Sequence, residues 1–210
     1  PGDGREFVVT REDAFFIRAE EGRSIRDVDI SPFIGDLPNG LKTDHFSSGN
    51  ASGSTSQAAA IVEAIESGSR LLLFDEDTCA TNFLVRDALI GQVLDASLEP
   101  IRPLYSMIRP LWNERRVSMI FVAGGLGCFL QKADTCLRMA HYHCQDITAS
   151  VRGRLGEIAN EDETSNDFSS ARRLAGDNFD PAYENKRLKK TIAKRIKPLR
   201  SALRQLEYGM

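Results

Sequence analysis

Two short stretches carry residue types suited to phosphate chemistry. Leu71-Leu72-Leu73-Phe74 is an apolar run that ends in Asp75-Glu76-Asp77. A strand of this kind fixes its backbone in the sheet and delivers the next residue to the sheet's carboxyl edge, where ligands bind in open α/β folds. There Asp75 can hold Mg²⁺, directly or through water, because Mg²⁺ takes carboxylates together with waters and substrate phosphates. Glu76, one residue on, is placed to polarise an attacking water as a general base. Upstream, Ser52-Gly53-Ser54-Thr55-Ser56-Gln57 offers backbone N–H groups and hydroxyls at the start of a helix, a combination that suits a phosphate oxygen. Each feature has a plainer use alone, since acidic residues follow many buried strands and Ser/Gly turns cap many helices. Their joint occurrence is what points to a nucleotide.

The elements that must position these residues can be read from pattern. Glu6–Thr10 is a β-rich run, Arg11–Arg26 is charged throughout and reads as a helix or an exposed excursion, and Asp27–Ile30 reads as a strand stopped by Ser31-Pro32. The polar stretch 35–55 reads as a long loop. Ser56 or Thr55 caps a helix over Gln57–Ser67, ended by Gly68, and Arg70–Phe74 reads as a strand buried on both faces of a parallel sheet. Further helices are expected over Asn82–Ile90, over Leu104–Arg115 with Pro110 kinking or interrupting it, and near Leu130. Val117–Val122 and Thr135–Met139 read as further strands. Ile147, Val151, Leu155 and Ile158 then mark an amphipathic helix. The alternation predicts an α/β fold with a mostly parallel sheet and helices on both faces.

Composition sets the class. The chain has 210 residues, 41% hydrophobic and 27% charged, enough for one α/β domain with a core. A net charge of −3 predicts no bulk affinity for polyanions. No apolar run approaches the roughly 20 residues that span a bilayer. The opening Pro1-Gly2-Asp3-Gly4 lacks a methionine and reads as the interior of a longer protein or a trimmed chain. Cys79, Cys128, Cys136 and Cys144 are not spaced as a disulfide framework, so a reducing, intracellular compartment is expected, cytoplasmic or organellar, mitochondria included.

Four features in register resemble the ATP-binding cassette (ABC) ATPases. These are the Ser52-Gly53 turn, Asp75-Glu76 at the matching interval, Asp77-Thr78-Cys79-Ala80-Thr81-Asn82 where that family carries its D-loop, and Ala133-Asp134 before an apolar strand. A closer likeness is to the soluble family called "predicted ATPase of the ABC class", with residues 1–10, Asp29-Ile30-Ser31-Pro32-Phe33-Ile34, Asn50-Ala51-Ser52-Gly53-Ser54-Thr55-Ser56-Gln57 and Phe74-Asp75-Glu76-Asp77-Thr78 carrying it. It covers about residues 1–147. The resemblance implies a P-loop NTPase core that binds and hydrolyses ATP with Mg²⁺ at a dimer interface, in a homodimer or with another ABC subunit. It implies Asp75 on the metal, Glu76 as catalytic base, and Ser52, Gly53, Ser54, Thr55 and Gln57 against the partner's nucleotide. Asn82 stands at the family's aspartate position and would communicate across the dimer. Gly124 occupies the register of the family's switch histidine, leaving the γ-phosphate sensor unassigned.

No Gly-x-x-x-x-Gly-Lys-Ser/Thr loop occurs in these residues. Without it there is no lysine on the β- and γ-phosphates, no hydroxyl on Mg²⁺ and no amide cradle. Two other features invite chemistry. His141 and His143, alternating on a strand beside Cys144 and with Cys136 nearby, would share a face as an imidazole pair. Cys79 reads as a small packing residue or an oxidisable thiol. The expected organisation is a core over 1–147, a helix and acidic linker over 148–180, and a basic amphipathic tail over 181–210. In the tail, Lys186–Arg204 suits RNA or DNA phosphates, a partner surface or anionic lipid. The alternative to an ATPase is a non-catalytic ABC module that scaffolds nucleic acid or protein through this tail. These residues alone are expected to show no ATP turnover; magnesium-dependent turnover that Glu76→Gln abolishes would overturn that.

Overall fold

Strand β4, Leu71–Asp75, lies between two parallel neighbours and organises the rest of the fold. It pairs with β1, Ala14–Ile17, on one side and with β5, Ser118–Val122, on the other. In this computed structural model residues 10–35, 37, 40, 42–87, 90 and 99–156 are described. The chain divides into units Pro1–Ser169 and Ser170–Met210, and every described residue belongs to the first. The expected strand Glu6–Thr10 (save Thr10), the acidic linker and the basic tail lie outside the described residues. Among the described residues no helix is long and apolar enough to cross a membrane.

Registration of the three parallel strands sorts their side chains. Ile17, Phe74 and Phe121 align on one face with Leu72, and this face forms the core. The other face carries Phe16, Leu73 and Ile120 in one row and Asp75 and Val122 in the next. Phe16, Ile120 and Val122 there are 52%, 54% and 66% exposed. Parallel strands are normally buried on both faces, so this apolar strip is unusual.

Three strands occupy the stretches expected as a helix or excursion and as a loop: β1 and most of β2, Arg23–Val28, lie in Arg11–Arg26 and β3, Phe46–Ala51, lies in 35–55, while the strand expected over Asp27–Ile30 is only the end of β2. β2 pairs antiparallel with β3 through an irregular register. Asp27 takes a left-handed conformation, φ +50, at that irregularity. The bulge sets the buried residues Ile25 and Val28 three apart, a spacing that imitates one helical turn. β3 is polar except for its buried ends Phe46 and Ala51, which is why it reads as loop.

Helix α1, Gly53–Glu66, begins four residues earlier than Gln57, with Ser52 as its N-cap. Helix α2 is a single turn, Thr81–Leu84, ended by extended Val85, and does not continue to Ile90. It is anchored by Phe83, fully buried, whose ring meets Phe33 at 5.6 Å. Helix α3 spans Leu104–Arg115 as expected and continues through Pro110, closing on left-handed Arg116. Helix α4, Phe129–Lys132, follows the glycine-rich loop after β5. The rings of Phe74, Phe121 and Phe129 stack at 4.7 and 4.3 Å, tying that loop's far end to the central strand.

The strand expected over Thr135–Met139 does not join the parallel sheet. β6, Leu137–Ala140, turns back into β7, His143–Asp146, as an antiparallel hairpin. Its two-residue loop, His141-Tyr142, is left-handed at both positions, φ +49 and +63. Helix α5, Thr148–Leu155, completes the described residues. Phe83→Ala is expected to cost about 3–5 kcal/mol in chemical denaturation, because it empties the larger of the two buried anchors, Phe83 and Leu84, of a four-residue helix.

Candidate functional site

Eight residues, Asp75 to Asn82, connect two groups of polar side chains. At the sheet edge Asp75 ends β4 and caps a 3-10 turn over Glu76–Thr78, its Oδ1 accepting the Asp77 N–H at 3.2 Å. Thr78 Oγ1 donates to the Asp75 carbonyl at 3.1 Å, fixing the turn from the other side. Asp75 Oδ2 accepts no hydrogen bond among the described residues. The carboxylate therefore keeps an oxygen available at the carboxyl edge, and the donor type fits Mg²⁺.

Glu76 points across the edge to the loop that follows β5. Its Oε2 accepts three backbone N–H groups, from Gly124 at 2.9 Å, Gly125 at 2.9 Å and Leu126 at 3.2 Å. The Gly125 amide is the largest cause holding the Glu76 carboxyl below the usual carboxylate range, and those of Leu126 and Gly124 add to it against the cost of burial. A carboxyl whose folded pKa is depressed adds stability above its unfolded pKa. That contribution fades as pH falls through the lower folded value, so the contact survives into acid where a free glutamate is already protonating. Of these partners only Gly124 was a sequence candidate. The run Gly124-Gly125-Leu126-Gly127 was the available signal for the others.

At the other end of the segment lies the start of α1. Ser52 Oγ accepts the Thr55 N–H at 3.3 Å and lies 2.8 Å from Thr55 Oγ1. Ser54 Oγ donates to Asn82 Oδ1 at 3.0 Å. The N–H groups of Gly53 and Ser54, in the unpaired first turn, have no acceptor among the described residues. Ser52, Gly53, Ser54, Thr55 and Asn82 all line one open cavity of about 360 Å³, with Glu21 beside them and Ile34, Leu37 and Ile101 as an apolar wall. Gly53 permits the close approach, since a Cβ there would lie 3.2 Å from Ala19 Cβ and 3.7 Å from Ala80 Cβ.

Gln57 is not a surface contact. It is 0% exposed, and its Oε1 accepts the Ala80 N–H at 2.7 Å. The side chain positions the segment carrying Asn82 from behind, while Ser56 Oγ ties α1 to the chain between β1 and β2 by accepting the Glu20 N–H at 2.9 Å. The early helix start explains the difference. With Ser52 as N-cap, Gln57 falls on the inward face one turn on.

The chain matches the ABC_ATPase P-loop domain family over residues 1–175. It belongs to that family. The match spans all the site residues just described and agrees with the parallel β1-β4-β5 sheet. A relative in Methanocaldococcus jannaschii, "Uncharacterized protein MJ1628", is 40% identical over 90 residues, which are 42% of this chain and 20% of that protein. The chain thus spans about a fifth of the length of the curated relative it matches.

In this ABC ATPase chain Cys79 lies within the connecting segment as a packing residue, and His141 and His143 lie on the β6–β7 hairpin. Cys79 is half-buried with its Sγ 3.6 Å from the Ile17 carbonyl, and burial pushes its thiol up, so it packs as a neutral group. His141 sits in the hairpin loop and His143 on β7, so the two do not alternate along one strand. Among the described residues no group of three or more His, Cys, Asp or Glu side chains is placed to hold a metal ion. Gln57→Leu is expected to cost about 1–3 kcal/mol by leaving the Ala80 N–H without its acceptor. Hydrogen exchange at Ala80 should accelerate in that variant, and unchanged exchange would remove Gln57 from this role.

Proposed function

We propose that these residues supply two parts of an ATP-hydrolysing site shared between subunits. The Asp75–Glu76 edge acts on ATP held by a lysine-bearing phosphate loop, and Ser52–Thr55 faces the ATP of a second ABC subunit, identical or related. The observation that carries this reading is spatial. Ser52, Gly53, Ser54, Thr55 and Asn82 line one open cavity, Asp75 and Glu76 stand at the sheet edge, and a single short segment joins the two. Family membership supports nucleotide as the ligand.

In this mechanism Asp75 would hold Mg²⁺, which would supply charge neutralisation to the transferring phosphoryl group. Glu76 orients the attacking water and takes its proton as the water oxygen bonds to the terminal phosphorus and the bond to the bridging oxygen breaks, releasing ADP. The free N–H groups of Gly53 and Ser54 and the Ser52 and Thr55 hydroxyls donate to phosphoryl oxygens across the interface. Asn82, joined to Ser54, keeps the segment after Glu76 in step with that contact. Gln57 holds the same segment against α1 without touching substrate.

The test uses a protein that has these residues together with a lysine-bearing phosphate loop. Glu76→Gln should lower kcat by about 10²–10⁴ while ATP binding persists. Turnover per subunit should rise with protein concentration, as a shared site requires. Wild-type turnover in Glu76→Gln, or turnover independent of concentration down to the most dilute samples, would refute the proposal.

A further inference from the structure

The Glu76 contact conflicts with the role just assigned to it. A general base must lie within hydrogen-bond reach of the water it deprotonates. Here three amides converge on one carboxylate oxygen and hold the side chain against the loop after β5. The same three N–H groups form a concave cluster of donors, the arrangement that binds phosphate and other oxyanions elsewhere in proteins. Two anionic oxygens cannot occupy it at once.

We infer that the amide cluster of Gly124, Gly125 and Leu126 is a binding site for a phosphoryl oxygen, occupied in the resting chain by the Glu76 carboxylate as an internal stand-in. The inference rests on the ATPase reading for the purpose it assigns to the exchange. A phosphate carries more charge than a carboxylate and accepts the same hydrogen bonds. Its arrival therefore displaces Glu76, whose carboxylate leaves the three amides and is free to reach a water beside the phosphoryl group. Glu76 is then available as base only when a phosphoryl group is present. Without one the base is stored, and idle activation of water is suppressed.

The glycines show what the arrangement requires. A Cβ on Gly125 would lie 2.9 Å from Glu76 Oε1, closer than real Cβ atoms come to an oxygen. A Cβ on Gly124 would meet nothing within 4 Å. The backbone at neither position is left-handed, so neither glycine is explained by its own φ. Gly125 is explained by the carboxylate lodged against it.

The experiment titrates the 210-residue chain with inorganic phosphate and follows the Gly124, Gly125 and Leu126 amides by NMR. Phosphate should shift these three amides, and Glu76→Ala should tighten its affinity at least about tenfold, the scale of hydrogen bonds to a charged group. Glu76→Gln keeps the side chain's volume and should move affinity the same way, which covers the case in which truncation disturbs the loop. Asp77→Asn removes an equal charge one residue away and should change affinity less than about twofold, as an exposed charge does. Without phosphate, Gly125→Ala should shift the three amides as Glu76→Ala does, and Gly124→Ala should leave Leu126 unshifted. A parallel titration with ATP separates the sources: a response to ATP assigns the site to the terminal phosphoryl group, a response to phosphate alone to the released product. No response to either, or equal tightening in Glu76→Ala and Asp77→Asn, would overturn the inference. That failure would leave any measured ATP turnover standing, just as absent turnover would leave phosphate binding at the amides standing.

Discussion

The double pairing of β4 is the constraint from which the other features follow. A strand with parallel neighbours on both sides has no freedom to slide, because a one-residue slip would exchange Leu72 and Phe74 for Leu71 and Leu73 on the core face. The position at which Asp75 leaves the sheet is therefore fixed by core packing far from any ligand. Phe74 reinforces it through the ring column that runs to Phe121 and Phe129. The loop between β5 and α4 is held at its two ends by that column, and this brings its amides within reach of Glu76.

Beyond β4 the chain is held by single hydrogen bonds rather than by a sheet. Ala19 donates to the Thr78 carbonyl, Gln57 accepts from Ala80, and Ser54 meets Asn82, so alternate residues of one segment are gripped by the chain after β1 and by α1. Arg23 of β2 pairs with Glu63 of α1, which links the antiparallel pair to the same helix. Displacing the start of α1 would have to disturb the 75–82 segment, since Ser54 bonds the Asn82 side chain and Gln57 the Ala80 backbone at 3.0 and 2.7 Å. This couples the two ends of the site through covalent chain and hydrogen bonds alone.

What the sequence disclosed, and what it concealed, follows the range of the interactions involved. The helix over Leu104–Arg115 was legible to the residue because Pro103 and the apolar spacing of Leu104, Met107 and Leu111 are local signals. The Ser52–Thr55 turn, Asp75, Glu76 and Asn82 were legible through residue type and interval. The β2 strand was hidden by a bulge that spaces Ile25 and Val28 like a helix. The β6–β7 hairpin was hidden because His141 and Tyr142 fill left-handed positions where asparagine and glycine are usual. Gln57 as an internal support and the Glu76 amide contact arise from chain segments 23 and 48–50 residues apart meeting in space. Neither leaves a pattern along the chain.

The exposed strip of Phe16, Ile120 and Val122 gives the molecule a temperature dependence of its own. Apolar hydration carries a large positive heat capacity, so the drive to cover such a surface is weakest in the cold and strengthens on warming toward room temperature. Excluded salts such as sulfate act in the same direction. The tendency of this sheet face to acquire a cover is thus set by solvent as much as by sequence, and copies of the chain should be least adhesive when cold and low in such salts.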